Sequence, residues 1–545
     1  MKFQKTLFIL SIVFLFGLSM GFISIAESRI VEGMGTEPTS LDIDQASRRP
    51  ESAVLNLISE PLLVFNSDLK LEPLLAKSWS VSEDHLTWTI ELKEDIYFHN
   101  GQLMDAEAVK FSLNRHKRGS RAAWMLAPVE EIIVEDTYTL KIVMDEPYPM
   151  FPNYLADYWL GIISPKKVEE YGDDYGVKAV SGTGPFKFEK WVSGDRIVLK
   201  RNEEYDHGPA FLSNRGPAKV EEWVFRFIPE PSTLIAELQK GNVDISNYIR
   251  AESVSQIQNN PNTDVSSKKG SDSVHIAINL GYKEKGGEPQ NYPFNNVKVR
   301  EAVAHAVNKE AVIKAAMAGI GQPAYTLTSP TAKMYWEGAM ELGKKYTNYD
   351  PEKSKVLLEE VGWVDVDNDG IREKNGEELE AVLFAFTITR YKRIATVVQP
   401  MLQDVGFKVK IQVMEAGDLY ESVTRGEHDL LATAWTSWSF PQTGLEPMVT
   451  SEQLGTSTNW FHYSNPEVDQ LLKESKQALK EEDRLKAIEE AQKIIIKDVL
   501  AVPIAYGMDV LGYKKSIEGV EEYMEHPWAI FGVDSLRGLL LNKVS

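Results

Sequence analysis

The chain contains no cysteine. That excludes disulfides, thiol nucleophiles and thiolate-bound zinc, and leaves no side chain from which a lipid anchor could hang. A basic surplus is also missing, since 59 Lys and Arg stand against 80 Asp and Glu, a formal net charge of −21. Such a balance cannot neutralise a phosphate backbone, so no nucleic-acid partner is expected. No HExxH or GxSxG string occurs, and the nine histidines show no metal-ligand spacing. Neither of the commonest hydrolytic sites is therefore written in the chain. Gly338-x-x-x-x-Gly343-Lys344-Lys345 falls short of a phosphate-binding loop: a lysine stands where a hydroxyl should hold Mg²⁺, and no strand precedes it. Internal repeats and low-complexity tracts are absent as well.

What is present is a long globular chain. With 545 residues, 43% hydrophobic and 26% charged, two or three domains are expected. Residues 1–26 read as a signal peptide: Lys2 and Lys5, an apolar run from Leu7 to Ile25, then Ser24-Ile25-Ala26 for cleavage. An uncleaved anchor is the alternative, because the run is about as long as a spanning helix needs.

The stretch Leu74–Leu113 is the most strongly patterned. Leu86, Trp88, Ile90 and Leu92 alternate with Thr87, Thr89, Glu91 and Lys93, which predicts a strand with one buried face. Asn100-Gly101 predicts a turn, and Asp105 caps a helix whose apolar stripe is Ala108, Val109, Phe111 and Leu113. Further strands are expected at Arg29–Met34, Tyr138–Met144, Ile197–Lys200, Trp223–Phe227 and Val274–Leu280. Helices are expected from Pro231 to Gly241, along Val299, Val303 and Val307, and after Asn465-Pro466.

Leu75-Ala76-x-Ser78-Trp79, Leu92-Lys93-x-x-Ile96-x-Phe98-x-x-Gly101 and Asp105-Ala106-Glu107-x-Val109 resemble the signature of the extracytoplasmic solute-binding proteins of ABC importers, family 5. Gly182-Thr183-Gly184-Pro185-Phe186, Phe225-Arg226-Phe227-Ile228-Pro229 and Val299-Arg300-x-Ala302 resemble its later blocks, in order. The resemblance implies an α/β, two-lobed periplasmic binding protein fold of the cluster C type, with a two-strand hinge and an extra inserted domain. The expected division is domain I from 27–50, 181–277 and 506–545, inserted domain II from 51–180, and domain III from 278–505. It also implies a receptor, not an enzyme. Such a receptor takes a short peptide or an oligosaccharide into the interlobe cleft, closes over it and hands it to an ABC permease. A secreted hydrolase, or a chaperone or sensory protein of the same fold, is the alternative. The implied receptor is a periplasmic monomer without lipid or cofactor.

The candidate ligand contacts are Glu37, Trp435, Thr436, Ser437, Trp438 and Tyr506. Aromatic rings suit stacking on sugars or cover for peptide side chains. In peptide-binding relatives an acid commonly follows the tryptophan by three positions and pairs with the peptide's amino group. Trp438 stands there instead, and an ammonium without a counter-charge is costly to bury. One metal candidate remains. Asp365, Asp367 and Asp369 with Gly370 match the first half of a calcium loop, although Gly376 stands where a bidentate acid belongs.

Overall fold

Two long antiparallel strands, Thr263–Ile278 and Ala501–Lys514, run through the centre of the molecule and belong to both of its halves. The computed structural model describes residues 28–46, 49–120, 122–281, 292–333, 335–436, 441–525 and 536–544. Around those two strands an 11-stranded sheet is built. On one side lie Leu430–Thr436, Glu380–Phe386 and Lys408–Met414. On the other lie Ile245–Ser246, Arg29–Met34, Glu222–Phe227, Arg196–Arg201 and Phe186–Val192.

The first long strand is apolar at one end and polar at the other. Val274, Ile276, Ala277 and Ile278 pack with Ala501, Val502, Ile504 and Ala505 in the core of the second lobe. The polar end of the first strand, Thr263 to Ser273, runs beside Tyr506–Lys514 toward the first lobe, where Tyr513 pairs with Ile245. The ladder between the two shifts register twice, once between Val274 and His275 and once, more widely, between Lys269 and Ser273. Lys269 faces Met508, and the next pairing is Ser273 with Tyr506. One strand thus advances four positions while its partner advances two, which makes a bulge where the chain crosses between lobes. Apolar patterning predicts only Val274–Leu280 here. The strand starts 11 residues earlier because its polar half is held by backbone pairing to a segment over 200 residues away.

Three hydrophobic clusters share no buried residue, and the two largest divide between the lobes. One joins Ile30 and Met34 to residues between 41 and 225 and between 536 and 541, and the other runs from Val274 to Ala505. Between residues 76 and 144 a separate four-stranded antiparallel sheet has the spatial order Ala76–Val81, Thr87–Leu92, Thr139–Met144, Val129–Asp136. Trp88, Ile90 and Leu92 are buried, as the alternation requires. Gly101 adopts φ +79°, and Asp105 Oδ1 accepts from the Ala108 N–H at 2.9 Å to cap helix Ala106–Gly119. Such a cap is worth about 1 kcal/mol.

Helix Pro231–Lys240 ends on Gly241 at φ +82°, and Asn465 caps helix Pro466–Gln477. The helix expected through Val307 stops at Ala306, and Val307 is its extended C-cap. Among the described residues no helix is long and apolar enough to cross a membrane.

Candidate functional site

Beside the ladder break the lobes face each other across a cavity of about 330 Å³, at the small end of ordinary ligand pockets. The first lobe contributes Arg250 and Glu252, the crossing strands contribute Asp272 and Asp509, and the second lobe contributes Arg390 and Arg393. The bulge and two glycines make room for the acids. A Cβ on Gly507 would stand 3.1 Å from Asp272 Cβ, and one on Gly270 would stand 3.1 Å from Asp509 Cγ. Any other residue at these positions would crowd the carboxylates.

The charges are distributed by wall. Arg390 and Arg393 lie in the first turns of helix Thr389–Gln403, where Arg390 donates to the Tyr391 hydroxyl at 2.8 Å. Arg393 reaches across the gap to Glu252 at 3.8 Å. On another edge Gln477 donates to Glu146 at 2.8 Å, a second exposed polar contact between the lobes. Exposed contacts of this kind contribute little and break readily. On the strand side, Asp272 accepts from the Thr436 hydroxyl at 2.8 Å. Burial, reinforced by the charge of Asp272 and opposed by Arg49 and Lys268, pushes the Asp509 carboxyl up to about 6.

Thr436 is the sequence candidate that this geometry places at the cavity, through its bond to Asp272. Trp435 and Tyr506 flank the same residue, Ser273, from opposite strands. Tyr506 is buried with its hydroxyl 2.6 Å from Thr326 Oγ1. Trp435 is half-buried, its ring edge-to-face with Trp460 at 5.3 Å. Glu37 is engaged within the first lobe, accepting from the Trp191 indole at 2.8 Å and from the Gly194 N–H at 3.0 Å. Ser437 and Trp438 lie outside the described residues.

Sequence reasoning missed Asp272, Asp509, Arg390 and Arg393. The usable signals were Gly270-Ser271-Asp272 inside a strand and the basic run Arg390-Tyr391-Lys392-Arg393 in an acidic chain. Neither tells which elements face each other.

The calcium candidate lies elsewhere. Asp365, Asp367 and Asp369 are joined by Glu373, with one oxygen of each within 4.8 Å of the others. The donors suit a hard divalent cation. Part of that order is internal, because the Gly370 N–H donates to Asp365 and the Val366 N–H to Glu373.

A sheet shared by two separately cored lobes, two crossing strands and a charged cavity between them define the solute-binding protein fold. Residues 70–456 match the family model described as bacterial extracellular solute-binding proteins, family 5. The chain belongs to that family and is a solute-binding receptor of the ABC-import class. Among its relatives is the glutathione-binding protein GsiB of Escherichia coli K12, 27% identical over 514 residues, covering 92% of this chain and 93% of the relative. Among solved structures, the ABC transporter-associated DppA of Helicobacter pylori in complex with the peptide STSA superposes at TM-score 0.73 with 26% identity. That match covers 95% of this chain and 99% of DppA. NikZ of Campylobacter jejuni in complex with Ni(L-His) gives 0.75 with 25% identity, covering 95% and 100%.

Proposed function

We propose that the protein captures a short peptide in the interlobe cavity, without altering it chemically, and delivers it to a membrane permease. The observation that carries this reading is the opposition of charges, with Asp272 and Asp509 on the strand side and Arg390 and Arg393 on the second lobe. A short peptide carries an ammonium at one end and a carboxylate at the other, and planar guanidinium groups match carboxylates well. An uncharged sugar would bring no opposite charge to these four groups. The sugar reading would rest on ring stacking, and Trp435 spends its ring on Trp460. The peptide-type ligands named for GsiB and DppA support the same choice.

Closure follows from two hinged bodies. Ligand touching both lobes favours the closed form by its differential contacts, and the closed form docks on the permease. The reading includes a cleaved signal peptide, a periplasmic monomer and no turnover. Native mass spectrometry of ligand copurifying with the protein tests it. Peptides of a few residues, recovered intact after incubation, are expected; oligosaccharide alone, or cleaved peptide, overturns the reading.

A further inference from the structure

At the cavity, each crossing strand presents one carboxylate. The first strand bulges at Gly270-Ser271-Asp272, and the second passes opposite with Gly507 and Asp509. Among the described residues neither acid sits in a close ion pair, and the charges of Arg49 and Lys268 that act on Asp509 do not offset its burial. Among the described residues Asp272 receives the Thr436 hydroxyl alone, a neutral donor. Two further polar groups beside them are unmet. The Ser271 hydroxyl, next to Asp272, and the Trp435 indole N–H, next to Thr436, are buried without a hydrogen-bond partner among the described residues. Buried polar atoms are otherwise almost always paired, by protein, by water or by a ligand. Two acids near each other in a partly dry cavity repel, and a cation placed between them relieves both.

We propose that Asp272 and Asp509 together anchor the primary ammonium group of the ligand, replacing the acid that the loop after Trp435 lacks. The inference rests on the peptide reading and adds where the amine sits. It also gives the charge a mechanical role. Because the acids belong to the strands that join the lobes, an ammonium bound there grips the hinge itself, while Arg390 and Arg393 act on the opposite lobe. The full contact set exists only when the lobes are closed.

The test uses a synthetic library of di- to tetrapeptides, offered with free amino termini and again after N-acetylation, with retention read by mass spectrometry. Wild type is expected to retain members of the free library and to lose at least about tenfold on acetylation. The nearly isosteric double variant D272N/D509N is expected to melt no lower than wild type and to lose retention by a similar factor. Equal retention of both libraries by wild type overturns the ammonium anchor and leaves the peptide reading standing. So does undiminished retention by the double variant. Retention of neither library by folded wild type overturns the peptide reading and this inference with it. Should the double variant not fold, the acetylation arm on wild type decides alone.

Discussion

Glu60 and Asp509 are both carboxylates withdrawn from water, one in the first lobe and one at the interlobe cavity. Around Glu60 the fold supplies three donors: the Tyr205 hydroxyl at 2.7 Å, His207 Nε2 at 2.8 Å and the Thr183 hydroxyl at 2.8 Å. Burial by itself would raise this carboxyl, but the charge of His207 and the hydrogen bonds of His207, Tyr205 and Thr183 hold it below its ordinary value. Asp509 has no such shell and is pushed up to about 6. The first acid is satisfied within the fold and serves stability, whereas the second has the open environment that the proposed ammonium anchor requires.

The comparison can be broken by mutation. The largest effect is expected from Glu60→Ala, which strips three buried donors of their acceptor. A loss of about 3 kcal/mol in denaturant unfolding is expected, with peptide retention by the folded fraction unchanged. Asp509→Asn is expected to go the other way. Its raised value means that folding opposes ionisation, so native stability falls as pH rises from the unfolded value of 3.8 through about 6. Removing the charge is therefore expected to gain about 2 kcal/mol at pH 7, discounted for screening at an open cavity, seen as a higher melting midpoint.

Ligand binding runs against that stability. The groups facing Asp509 are Asp272, Arg49 and Lys268, with Arg390 across the cavity, and the raised carboxyl of Asp509 takes up its proton near pH 6. Retention of free-amine peptides is expected to fall by about tenfold from pH 7 to pH 5, as Asp509 takes up a proton. The same decline in Asp509→Asn would assign it elsewhere. Thr183→Val is the mildest change. It removes one of the three donors to Glu60 and is expected to cost about 1 kcal/mol without altering the pH profile of binding.

Much of the first lobe was legible residue by residue. Trp88, Ile90 and Leu92 are buried because alternation with polar neighbours leaves a strand one way to face its core. Asp105 caps its helix because the free N–H groups of a first turn need an acceptor three residues away. The crossing strand was read only in part. Val274 to Ile278 announces itself by apolar residues, whereas Thr263 to Ser273 carries almost none and is a strand by virtue of its partner. The site was read less well still. Aromatic residues drew attention to Trp435 and Tyr506, which flank Ser273 beside the cavity, while the four charged groups lining it look like ordinary surface residues in a chain with 26% charge.

The sequence by itself determined the element types, the caps, the turn at Gly101 and, through its motifs, the family, because these depend on neighbours within about a dozen residues or on ordered blocks. Only the tertiary structure decided that residues 272, 390 and 509 share one cavity, since strands distant in sequence had to pair, slip by a bulge and set two cores apart before those charges could face each other.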